Sequence, residues 1–122
     1  MVAAKRKESS TNAANEAWLV RNCPFSYTLS LLGRRWRPAL LWKLRAGPLH
    51  FAELTRQLPR ASEKMLAQEL QALASSGLVE RRSEAGRAVY SLTARGDELG
   101  PVLATMYAYG EAHRGASEPA DA

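Results

Sequence analysis

Three stretches of this sequence predict a mainly α chain with a small β-hairpin, arranged as a winged helix-turn-helix with N- and C-terminal dimerisation helices. From Phe51 to Leu58 an apolar residue recurs at i, i+3 and i+7 until Pro59, which has no N–H with which to continue a helix. From Glu63 to Ser76 a second amphipathic pattern runs up to Gly77, the residue type that most readily supplies a left-handed stop. Two strand-like runs, Leu78 to Arg82 and Ala88 to Leu92, then enclose Ser83 to Arg87, with Gly86 as the turn residue.

In chain order, residues 1–11 are rich in Lys, Ser and Ala and read as a flexible basic arm. Asn12 to Val20 forms a helix that offers Trp18 and Leu19. Phe25 to Leu32 and Arg37 to Leu44 are two helices around Gly33; Leu40, Leu41 and Leu44 share a face, and Trp36 and Trp42 are assigned to the core. Pro38 falls in the first turn of the second of these helices, where a missing N–H costs nothing. Arg34, Arg35 and Arg37 gather at the same helix start. They either hold a phosphate there, assisted by the helix dipole, or form a solvated charge cluster, and the sequence leaves both readings open.

Within the helix from Glu63, 100° per residue puts Leu66, Leu70 and Leu73 on one face and Lys64, Gln68, Gln71 and Ser75 on the opposite one. Ser62 is placed as the N-cap, and Glu63 lies in the first turn, where the dipole favours negative charge. Glu63 and Glu69 fall to the flanks, so the polar ridge itself carries no carboxylate. Lys, Gln and Ser side chains can reach base edges or phosphates, which makes Ser62, Lys64, Gln68 and Gln71 the candidate base readers. Arg34, Arg35, Arg60 in the turn, and Arg81, Arg82 and Arg87 in the hairpin are the candidate phosphate contacts. A solvated helix and an Arg-rich hairpin without a partner would carry the same residue types.

Beyond the hairpin, Thr93 caps a helix whose Leu99, Val102, Leu103, Met106 and Tyr109 form one apolar stripe, kinked at Pro101. The stripe lies outside the winged-helix core and needs an apolar partner. It either folds back on its own domain or meets a second copy across a two-fold axis, with the Asn12 to Val20 helix packing alongside through Trp18; a homodimer is the expectation. Two recognition helices so related read half-sites about one helical turn apart on a pseudo-palindromic duplex. Residues 12–114 are expected to form one domain, and 115–122, acidic and rich in Gly, Pro and Ala, a flexible tail.

The net charge of +5 is unevenly spread. Arg34 to Arg95 holds 12 basic and 5 acidic residues, whereas Gly96 to Ala122 holds 1 basic and 5 acidic, so the positive charge belongs to the helix-turn-helix half. Such a surface concentrates near polyanions and releases their counterions, which suits nucleic acid better than a membrane. No apolar run of membrane-spanning length occurs, and no apolar segment follows Lys5, Arg6 and Lys7 to make a signal peptide; a cytoplasmic protein is expected. One cysteine and two histidines, His50 and His113, leave no disulfide framework and no metal site, and neither a Gly-rich phosphate loop nor a Ser-His-Asp arrangement is present. No enzyme activity and no cofactor are expected, and His50 is read as flanking the turn into Phe51.

Several separated motifs resemble the HxlR-type winged-helix transcriptional regulators. They are Cys23-Pro24, Leu31-Leu32-Gly33 with Trp36, His50-Phe51-Ala52-Glu53-Leu54, Ser62-Glu63-Lys64-Met65-Leu66 with Gln68 and Leu70, Gly77-Leu78-Val79 with Arg81, and Tyr90-Ser91-Leu92-Thr93 with Gly96. The resemblance covers about Cys23 to Gly110 and implies a dimeric, sequence-specific repressor or activator that binds double-stranded DNA. Two features depart from the family: Ser83-Glu84-Ala85-Gly86 replaces a Pro-Pro element in the wing, and Tyr109-Gly110 stands where Trp-Gly is usual. The resemblance also implies that Cys23 is either a sensor of oxidants or electrophiles, or a small inert residue where the linker meets the dimer helix. Arg21 and the helix start after Cys23 both favour a reactive thiolate. The competing reading is a winged-helix protein-interaction or small-molecule-binding module without DNA binding, with a pocket lined by Trp18, Phe25 and Tyr107.

Overall fold

The computed structural model describes residues 2–115, with side chains from Thr11 onward; all but the first residue of the expected tail lies outside this range. The chain forms two compact units, one up to Arg34 and one from Arg35 onward, where the sequence suggested a single domain over residues 12–114.

The first unit consists of α1 (Val2–Asn22) and α2 (Pro24–Leu32). Helix α1 is longer than Asn12 to Val20 at both ends and takes in the segment read as an arm. Neither Gly nor Pro interrupts Val2 to Asn22, and Ala, Lys and Glu are good helix formers. The two helices are separated at Cys23 (φ −119°, ψ 117°), because a residue before proline is pushed out of the α region. The backbone stays bonded across the break: Cys23 N–H donates to the Leu19 carbonyl at 2.7 Å, and Tyr27 N–H to the Cys23 carbonyl at 2.9 Å.

The second unit runs α3 (Arg37–Leu44), β1 (Leu49–His50), α4 (Phe51–Gln57), α5 (Glu63–Ser75), β2 (Val79–Glu84), β3 (Arg87–Leu92), α6 (Ala94–Asp97) and α7 (Gly100–His113). The fully buried part of its core is built from leucines of four segments, Leu40, Leu41 and Leu44 from α3, Leu54 and Leu58 from α4 and its end, Leu66, Leu70 and Leu73 from α5, and Leu78, and Val79, Val89, Tyr90 and Leu103 complete it. His50 caps α4, its N–H donating to Glu53 Oε1 at 2.9 Å while the ring Nδ1 lies 3.1 Å from the same oxygen. The sequence placed His50 beside the turn into Phe51, and the capping of α4 is added by the structure.

The β structure differs from the expected hairpin in two ways. A third strand is present, since β1 pairs antiparallel with β3 (Leu49 with Tyr90, His50 with Val89), giving the order β1-β3-β2. Two residues, Leu49 and the helix cap His50, following a glycine-proline turn carry no periodicity, so this strand exists only because β3 offers its edge. The hairpin loop is also tighter than five residues: Glu84 pairs with Arg87, leaving Ala85 and Gly86 at φ +51° and +76°. Both central residues of this turn type need positive φ, which Asn-Gly satisfies best and which costs an alanine about 1 kcal/mol or more. Ala85→Asn is therefore expected to raise stability by about 1 kcal/mol in urea denaturation; an unchanged or lower midpoint would show that the turn is not held in this geometry.

Thr93 does start a helix, but α6 ends at Asp97 and α7 begins anew at Gly100, with Pro101 in its first turn. The expected kinked helix is thus two helices, and Pro101 costs no hydrogen bond because first-turn N–H groups have no intrahelical acceptor. The stripe divides accordingly. Leu103 is buried and Leu99 half-buried against the unit's own core, whereas Val102, Met106 and Tyr109 stay exposed. Trp42 is not a core residue either: it is half-buried, stacked on Tyr107 (ring centroids 5.1 Å apart, 15° between planes) and contacted by the Arg45 guanidinium at 3.7 Å.

Candidate nucleic-acid interface

Helix α5 is held by its apolar face and its ends. Leu66, Leu70 and Leu73 are fully buried, which fixes the rotation of the helix and turns Lys64, Gln68, Gln71 and Ser75 to solvent. At the N-terminus the exposed Ser62 accepts a hydrogen bond from Met65 N–H at 3.0 Å, as expected of an N-cap. The ridge therefore offers one ammonium, two amides and two hydroxyls to anything that approaches it.

Glu69 is not on a flank. It is buried and paired with Arg37, whose Nε lies 2.5 Å from Glu69 Oε1, with both side chains largely shielded from water. This ties α5 to the first turn of α3 and removes Arg37 from the arginine cluster read as a phosphate clamp. The signal was present in the sequence, since on a helical wheel Glu69 falls beside Leu73 and Leu66 on the apolar face. A carboxylate there needs a buried cation.

The C-terminus of α5 is closed by side chains from the start of α6; Thr93, expected only as the cap of the helix that follows it, is one of them. Gly77 takes the left-handed turn at φ +78°. Thr93 Oγ1 donates to the Gly77 carbonyl at 2.6 Å while accepting from Gly96 N–H at 3.1 Å, and Arg95 Nη1 donates to the Ser76 carbonyl at 3.1 Å. These bonds satisfy carbonyls that the end of a helix leaves without partners.

The wing arginines are all exposed but do not share a face. Arg81 stands opposite Tyr90, whereas Arg82 belongs to the other face with Val89, Arg87 and Glu84. Arg82 is bonded to Glu84 at 2.7 Å, so part of its charge is balanced locally. Arg60, in the turn before α5, is exposed. Arg34 is exposed in the first unit; Arg35, also exposed, lines a cleft between α3 and α7.

Cys23 is a free thiol at the N-terminal end of α2. Its pKa lies below the ordinary thiol value chiefly because of the Ser26 backbone amide, then the Ser26 hydroxyl, with the Phe25 amide adding a little and partial burial opposing. The cause is thus the helix start rather than Arg21. Of the aromatic residues considered for a ligand pocket, Trp18 and Phe25 are exposed on the first unit and Tyr107 lies in the cleft of the second. Among the described residues no group of three or more His, Cys, Asp or Glu side chains is placed to hold a metal ion, and no helix is long and apolar enough to cross a membrane.

A family model described as an HxlR-like helix-turn-helix matches residues 31–118. The HTH-type transcriptional regulator YodB of Bacillus subtilis is 36% identical over 93 residues, which are 73% of this chain and 83% of the relative. Among solved structures, quinone-bound YodB from B. subtilis is similar at a TM-score of 0.65 and 36% identity, covering 74% of this chain and 99% of that one. The redox regulator HypR in its oxidized form gives a TM-score of 0.72 at 31% identity, over 76% of this chain and 99% of that one.

Proposed function

The chain belongs to the HxlR-like helix-turn-helix family, and from that premise we propose that it is a transcriptional regulator that binds a pseudo-palindromic DNA duplex as a homodimer. The observation that carries this reading is the exposed Lys64, Gln68 and Gln71 ridge on a helix whose opposite face is three fully buried leucines. Ser62, Lys64, Gln68 and Gln71 read base edges; Arg34, Arg35, Arg60, Arg81, Arg82 and Arg87 are assigned to phosphates. The exposed row of Val102, Met106 and Tyr109 on α7, and the exposed Trp18, Phe25 and Leu29 on the first unit, support pairing with a second copy, since large apolar side chains left in a row on a helix face mark an interaction surface.

Fluorescence anisotropy with duplexes selected from genomic fragments tests the assignment. Gln68→Ala is expected to lower the ratio of specific to non-specific affinity about tenfold or more, because a bidentate amide contact discriminates by about 1–3 kcal/mol. Arg87→Gln is expected instead to weaken all sequences alike and to flatten the salt dependence by about one unit of slope. Unchanged selectivity in the Gln68 variant would remove it from base readout, and failure of the wild type to bind any duplex at low salt would remove the function.

Cys23 is proposed as the site at which an oxidant or electrophile acts, a reading supported by its lowered pKa and by the similarity to quinone-bound and oxidized regulators. Thiolate is the reacting form, so alkylation should rise with pH through a midpoint below that of an ordinary thiol, and Ser26→Ala should move that midpoint up. Cys23→Ser is expected to remain on DNA after diamide treatment that releases the wild type. Equal release of both proteins would rule the thiol out as the trigger.

A further inference from the structure

Helices α3 and α7 meet through Leu103 and the Trp42–Tyr107 stack, and beside that contact an open cleft of about 280 Å³ enters the second unit. Pro38 and Trp42 of α3 form one wall and Leu103, Met106 and Tyr107 of α7 the other. Arg35 stands at the rim. It carries the only charge among the lining residues, it is exposed, and among the described residues it has neither an ion pair nor a hydrogen-bond partner. Ligand sites are typically apolar hollows of a few hundred Å³ with a small number of polar groups that fix orientation, and a hollow at the lower end of that range takes one ring.

The lining specifies more than size. The indole and phenol lie nearly parallel, with the Arg45 guanidinium over the indole, so a further planar ring can meet the edges of the pair in an edge-to-face arrangement. A guanidinium presents two parallel N–H groups that match a carboxylate. No acidic side chain in the cleft opposes an anion. We propose that this cleft binds a small aromatic carboxylate, its ring against Trp42, Tyr107 and Leu103 and its carboxylate on Arg35.

Such a ligand acts on the exposed face of α7 through one residue. At 100° per residue Met106 lies about 60° from Leu103 and about 40° from Val102, so it borders both the cleft and the row left open for a second copy. A ring in the cleft displaces or orders the Met106 side chain and alters what α7 offers a partner; this consequence, unlike the binding itself, rests on the homodimer reading.

Binding is tested on the full chain without DNA, by isothermal titration with benzoate, benzyl alcohol and inorganic phosphate. Benzoate is expected to bind with a Kd on the order of 0.1–1 mM, and benzyl alcohol and phosphate at least about tenfold more weakly. Arg35→Gln, a change at an exposed position, is expected to weaken benzoate to the level of the alcohol. Absence of benzoate binding up to about 10 mM, equal affinity for the alcohol, or full affinity in the Arg35 variant would each overturn the proposal. Sedimentation velocity with and without benzoate then reads the effect on self-association. Because the titration contains no duplex, its outcome is independent of whether the chain regulates transcription.

Discussion

Gly96→Ala is expected to destabilise the second unit by about 3 kcal/mol and to lower Tm by about 12 °C or more, the largest effect of any single methyl group here. A Cβ built on Gly96 would stand 2.1 Å from the Leu78 carbonyl oxygen, 3.1 Å from its carbon and 3.3 Å from Leu92 Cδ2. The first of these is a backbone atom and cannot rotate away. It is also engaged, since the Leu78 carbonyl accepts from Thr93 N–H at 3.1 Å. Relief requires α6 to move off the corner between α5 and β2, and that movement stretches the bonds from Thr93 to Gly77 and from Arg95 to Ser76. The cost is therefore overpacking plus the loss of caps on the recognition helix, which adds to the penalty. Thermal unfolding checks it, with Gly110→Ala as the comparison: nothing lies within 4 Å of a Cβ there, so the same substitution in α7 should not destabilise. A Gly96 variant that melts within about 2 °C of the wild type would mean that the helix and the strand do not approach so closely.

Glu69→Ala should cost nearly as much, about 3 kcal/mol, for an electrostatic reason. The carboxylate is the partner of Arg37 in a pair with side-chain exposures of 13% and 12%. Removing one member leaves the other charge with most of its desolvation penalty and without this attraction. Replacing both members with apolar residues, Arg37→Met with Glu69→Leu, removes charge and counter-charge together and is expected to recover most of the loss. Urea denaturation of the single and double variants measures the difference, and a double variant no more stable than the single one would contradict this account. The DNA readout separates stability from orientation. If the pair fixes the rotation of α5, the stable double variant should still show weakened discrimination, since Gln68 lies next to Glu69 on the same helix.

Much of the fold was legible because its signals are local. The limits of α4 and α5, the Ser62 cap, the Gly77 stop and the three buried leucines follow from proline's missing donor, glycine's tolerance of positive φ and a 3.6-residue period. The exposed polar ridge followed from the same period. Less legible was everything that depends on what lies across the core. Strand β1 is two residues long and owes its existence to the edge of β3. The opposed faces of Arg81 and Arg82 required the hairpin register, and a turn of two residues rather than five sets that register. Pro101 looked like a kink because a stripe continued past it, yet a new helix starts there.

By itself the sequence determined where α4 and α5 begin and stop, which face of α5 is apolar, and that positive charge gathers on the helix-turn-helix half. Each of these depends on residues within a turn or two of one another, or on composition alone. Only the tertiary structure decided that Glu69 and Arg37 are spent on each other, that Thr93 and Arg95 close the end of the recognition helix, and that Leu103 turns inward while Met106 stays out. Those outcomes join residues 16 to 32 positions apart in the hydrogen-bonded cases, and no periodicity encodes a partner at that distance. They are fixed when the core closes, because a buried charge or an open carbonyl must then find whatever the neighbouring element brings within reach.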